Sequence, residues 1–162
     1  MERIKRYLRS AAGYQAVCAK WLVLAALVGC VVGVVTSVGS ILIMCRLFGL
    51  DQDMTISLLP KSVTTAISMD VAAELGGIAA LTGAIVILTG IAGNLLAETV
   101  CKVFHITDPI AKGVGIGTSA HAVGTSKALQ MGEVEGAMSG LSIAVAGVLT
   151  AVLCPVFVNF IN

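Results

Sequence analysis

Three stretches of this chain, 21–45, 78–97 and 136–161, contain no charged residue. They run for 25, 20 and 26 residues. A helix rises about 1.5 Å per residue, so each can cross a bilayer core of roughly 30 Å. That pattern leaves one broad fold class, an all-α integral membrane protein. Only 12% of the residues are charged, against about 25% in soluble domains. A net charge of +1 with 4% aromatic residues gives neither the basic face nor the stacking platforms that nucleic-acid binding uses.

The first span follows a basic segment, residues 1–20, with Arg3, Lys5, Arg6, Arg9 and Lys20 against Glu2. The apolar run behind it is too long for the core of a signal peptide. The positive flank places the N-terminus in the cytoplasm, and Trp21 sits where an interfacial aromatic anchor belongs. Gly29 and Gly33 form a GxxxG spacing that suits a helix-packing face. Five cysteines, Cys18, Cys30, Cys45, Cys101 and Cys154, lack the paired spacing of metal or disulfide frameworks. They read as small apolar side chains, and no cofactor or metal is expected.

Between the spans lie two stretches that are apolar yet interrupted, LPKSVTTAIS at 59–68 and TSAHAVGTSK at 118–127. Asp51 or Asp53 can cap a short helix ahead of the first. Pro60 disfavours helical geometry at Leu59 and removes a donor. A second short helix over 66–75 then ends at Gly76-Gly77, a suitable C-cap. Asn94 in the second span predicts a helix–helix hydrogen bond. Pro109 suits a helix start. The helix that follows meets the break around His121 and resumes to Gly132, and Glu133 and Glu135 form a polar turn. Pro155 predicts a kink near the end of the third span.

A shift of 56 residues aligns the two halves: Ser62 falls on Thr118, Thr65 on His121, and Gly76 on Gly132. The chain thus reads as a repeat, with units over 21–77 and 78–133 and a final helix over 136–161, all within one transmembrane domain spanning 21–162. Repeats of this kind in transporters carry discontinuous helices, and matching interruptions mark the binding site. Non-helical backbone within a bilayer is tolerated only when buried in protein or facing a wet cavity. Freed amides at half-helix N-termini favour an anion. The hydroxyls of Ser62, Thr64 and Thr65 in the first break and of Thr118, Ser119 and Thr125 in the second, with the charges of Lys61, His121 and Lys127 and with Gly124 beside them, therefore form a candidate site for a small carboxylate. Re-entrant breaks give inverted repeats with Lys102 and Lys112 on the cytoplasmic side; fully crossing breaks give parallel repeats with Lys102 outside. The inverted arrangement is expected.

Several residues have simpler readings. His121 can be a ligand contact or a cross-helix hydrogen bond, and Lys61 and Lys127 can simply reach to the interface. GVGIG at 113–117 lacks the third glycine and the preceding strand of a dinucleotide site, and GTSK at 124–127 lacks the residue order of a phosphate loop. Ser119 beside His121 has no acidic orienting group, so catalysis is not expected.

The patterns LPKSVTT and DPIAKGVGIGTSAHAVGTSKALQMGEVEGAMSG closely resemble the LrgB/CidB family of membrane proteins, over nearly the whole chain from residue 21. The resemblance implies a bacterial inner-membrane protein working with a small LrgA/CidA-type partner, as a homo- or hetero-oligomer. It implies two roles. One is transport of small monocarboxylates such as pyruvate, or glycolate in plastid relatives. The alternative is holin/antiholin-like control of murein hydrolase activity and autolysis. Members of that family carry further spanning helices ahead of the point where this sequence begins, so the resemblance implies a chain shortened at its N-terminus.

Overall fold

The computed structural model describes the backbone of residues 2–159 and the side chains of residues 23–159. The described residues form six helices and no strand: α1 (Glu2–Phe48), α2 (Gln52–Leu58), α3 (Thr65–Glu74), α4 (Ala79–Val103), α5 (Pro109–Met131) and α6 (Glu133–Val158). Three segments are long and apolar enough to span a membrane: Val23–Phe48, Ala79–Val103 and Glu133–Val158. The protein is thus an all-helical membrane protein with three candidate spans. The basic N-terminal side chains, Trp21 and Cys18 lie outside the described side chains, although helix α1 continues back through that segment.

Local signals set most helix ends. Asp51 caps α2, its carboxylate accepting from the Met54 amide at 2.8 Å. Asp108 caps α5 in the same way, accepting from the Ala111 amide at 2.8 Å, with Pro109 in the first turn. α3 closes with Gly76 at φ +89 and a 2.7 Å bond from the Gly77 amide to the Ala72 carbonyl. That is the left-handed cap for which glycine is the usual residue. One expectation needs correction. Glu133 and Glu135 belong to the first turn of α6 rather than to a turn before it. Their charge suits the positive end of the helix dipole. Pro155 lies inside α6, which continues past it to Val158.

α6 runs parallel to α1. The late α1 residues Ile41 and Cys45 share a core cluster with Cys154, while the early ones Ala26 and Cys30 cluster beside Met138 and Val145. α4 runs the other way. The interrupted segments fill the space between these three rods.

Candidate functional site

α5 is two half-helices that fold back on each other. His121, with φ 41 and ψ −140, is the turning point. Ahead of it, Gly113 meets Glu135 and Met138 of α6, and Gly117 meets Ser139 and Ser142, so the first half runs with α6. Beyond it, Thr125 bonds Ser139 at 2.7 Å and Leu129 touches Gly136, so the second half runs against α6. Ile116 and Gly124 are in contact across the tip: a Cβ on Gly124 would lie 3.1 Å from Ile116 Cγ2. In a straight helix eight residues would separate them by about 12 Å. Both ends of the hairpin, at Lys112 and at Lys127 and Met131, border one cleft beside the end of α4. The second break is therefore re-entrant.

The first break is re-entrant from the opposite end of the bundle. α2 starts near the end of α1, where Gln52 and Thr55 border Leu42 and Arg46. The chain turns inward through 59–64, and α3 brings it back to Gly77, which lies against Ile56 and Ser57. The Ile78 amide donates to Ser57 Oγ at 2.7 Å, and Thr82 Oγ1 donates to the Ser57 carbonyl at 2.9 Å, tying the hairpin base to the start of α4. Leu59 keeps α-helical angles despite the proline behind it. The break opens in the following residues, and Thr64 is extended.

The two tips meet on the same helices. Ser62 Oγ lies 2.7 Å from Ser37 Oγ of α1. One turn away on α1, about 6 Å along its axis, Gly33 leaves room for Thr118; a Cβ there would lie 3.0 Å from Thr118 Oγ1. Ser37 and Gly33 flank the middle of the span Val23–Phe48. On α4, Thr65 and Met69 lie beside Gly83, while His121 lies on Val86 and Gly90. The GxxxG pair of α1 serves as expected: Gly29 receives Val114 and Gly33 receives Thr118.

The hydrogen bonds divide the breaks by chemistry. His121 is 2% exposed, and its Nε2 lies 2.9 Å from the Val86 carbonyl. A carbonyl only accepts, so Nε2 carries the proton and Nδ1 is left for another partner. The expected cross-helix bond is thus made. Thr118 Oγ1 donates to the Val114 carbonyl at 2.8 Å, Ser119 Oγ to Gly115 at 2.7 Å and Thr125 Oγ1 to His121 at 2.9 Å. Having spent its one proton, Thr125 accepts from Ser139. The hydroxyl and imidazole protons of the second break are therefore spent on backbone carbonyls and on one another. Ser119 is exposed and lines an outer cleft between α4 and α5, away from Ser62. Gly124 contributes the close approach at the tip.

The first break keeps its donors. Lys61 Nζ makes one long bond, 3.3 Å, to Ser62 Oγ. Thr64, the N-cap of α3, makes no side-chain cap bond, so the first amides of α3 lack an intrahelical or capping acceptor. Thr64 and Thr65 are half-exposed beside them. Lys127 does not belong to this group: it pairs with Glu98 at 2.9 Å, as Lys102 does at 3.0 Å, near the end of α4. Asn94, which sequence reasoning assigned to helix contact, donates to the Val123 carbonyl at 2.8 Å and to Ser126 Oγ at 2.9 Å. Ser37, Ser57, Thr82 and Ser139 were missed. Each is a small hydroxyl within or beside an apolar helix, and only the neighbour that it meets distinguishes it.

The profile of the LrgB-like family matches residues 14–160. The antiholin-like protein LrgB of Bacillus mycoides (strain KBAB4) is 39% identical over 142 residues, covering 88% of this chain and 60% of that protein. The antiholin-like protein LrgB of Bacillus cereus (strain B4264) matches to the same extent. The chain thus spans about three-fifths of the length of these relatives. No solved structure matches.

Proposed function

This chain belongs to the LrgB-like family, and from that premise we propose that it acts as an antiholin-like component of the bacterial inner membrane, restraining murein hydrolase activity and autolysis. The observation that carries this reading is its 39% identity to proteins named for that role. An LrgA/CidA-type protein is the proposed partner, and the N-terminus is proposed to face the cytoplasm. Expression of the chain with that partner, in a strain lacking its own copies, is expected to slow detergent-induced autolysis. An unchanged autolysis rate would overturn the reading.

A second reading is favoured by one structural observation: two re-entrant hairpins enter from opposite ends and meet one turn apart on α1. Inverted, interrupted helices meeting at mid-depth suit alternating access. In that reading a small monocarboxylate, pyruvate or glycolate, is held by Lys61, Ser62, Thr64, Thr65 and the α3 amides, with Thr118, His121, Gly124 and Thr125 of the second break beside them; Ser119, on the outer cleft, is left out of the site. Uptake of labelled pyruvate or glycolate by cells expressing chain and partner is expected to fall at least severalfold in Thr65→Val and His121→Ala. Wild-type uptake in both variants would remove the site.

A further inference from the structure

At the end of the bundle where α5 enters and leaves, a cleft of about 540 Å³ is bordered by Lys102, Lys112, Lys127, His105, Gln130 and Glu98. Glu98 is shared between Lys102 and Lys127, so three lysines face one carboxylate, and Lys112 has no ion pair among the described residues. A second cleft, of about 380 Å³, opens from the first: Cys101, Ile106 and Lys112 line both. It runs between α4 and α5 past Val100, Ala97, Leu96 and Gly93, and its wall is almost wholly apolar. From Cys101 to Gly93 is eight residues of α4, about 12 Å toward mid-depth.

A basic mouth continuous with an apolar groove of that length fits one kind of molecule. We infer that these joined clefts bind an anionic glycerophospholipid, its phosphate among Lys102, Lys112 and Lys127 and one acyl chain along α4 between Val100 and Gly93. Basic pockets between membrane helices hold anionic headgroups by charge, and apolar burial of the chain adds to this. A free phosphate would satisfy the mouth but not the groove, and a zwitterionic lipid would fill the groove but bring a cationic headgroup to the lysines. The inference is independent of both functional readings.

Native mass spectrometry of the full chain, purified in detergent with defined lipid, tests this. Phosphatidylglycerol is expected to be retained over phosphatidylcholine. Lys112→Gln should reduce that retention about fivefold, the factor corresponding to ~1 kcal/mol per lysine. Lys112→Arg should restore it, which controls for folding. Inorganic phosphate and glycerol phosphate should not displace the lipid at equal concentration. Equal retention of phosphatidylcholine, insensitivity to Lys112→Gln, or displacement by either soluble phosphate would overturn the assignment.

Discussion

His121 carries backbone strain at the tip of the second break. A non-glycine residue at φ 41 carries strain of about 1–3 kcal/mol, and the imidazole bond to Val86 returns about 0.5–1.5 kcal/mol. Removing the ring while keeping a Cβ leaves the strain without the bond. His121→Ala is therefore expected to be less stable than wild type by about 1 kcal/mol, and also less stable than His121→Gly, which relieves the backbone. Thermal unfolding of the purified protein in detergent checks the order, and an Ala variant more stable than the Gly variant would refute it. Gly90 guards the same ring, since a Cβ there would sit 2.6 Å from His121 Cε1. The polar stretch at 118–127 announced a break in the sequence. That the turn falls on the histidine itself depended on the pocket left by Gly90 and on the Val86 carbonyl.

Among the elements, the caps and interruptions follow rules that act over a few residues. Asp108 holds the first turn of α5 through a 2.8 Å bond to the Ala111 amide. Asp108→Ala is expected to cost about 1 kcal/mol and to loosen the base of the hairpin. Amide hydrogen exchange should show it as faster exchange at 110–112, with the α6 amides unchanged; uniform exchange across both helices would contradict that. These features were legible because an N-cap, a proline or a glycine cap acts on its own backbone. The hydroxyls of Thr118, Ser119 and Thr125 were not. In an apolar helix a serine or threonine can bond back to its own carbonyls or reach outward, and the neighbour decides. Here they bond back, so these hydroxyl protons are spent, while Lys61 and the half-exposed Thr64 and Thr65 remain at the first break.

At the scale of the whole molecule the fold makes a topological statement. Asp53 lies at the end where α1 finishes, and Thr107 and Glu133 at the end where α5 begins and ends. In cysteine-free background, Asp53→Cys is expected to react with a membrane-impermeant maleimide from one side only. Thr107→Cys and Glu133→Cys should both react from the other. Labelling of Thr107→Cys and Glu133→Cys from opposite sides would mean that α5 crosses the membrane instead of returning.

Hydropathy and local backbone chemistry, acting within a few residues, were enough to establish the three spans, the two interruptions, the caps and the family pattern. Which faces pair, and that each break sends the chain back toward the end it came from, was decided by packing. In a soluble protein burial would have written those faces into the sequence. Here residues such as Leu24, Val28, Leu88 and Val148 are apolar yet exposed, because lipid tails are as apolar as a helix neighbour and give little force to sort one face from another. The faces are chosen instead by close approaches at small residues, Gly33 on Thr118, Gly90 on His121 and Gly117 on Ser139, and by hydroxyls whose partners lie far away in the chain. Those contacts exist only once the helices have met.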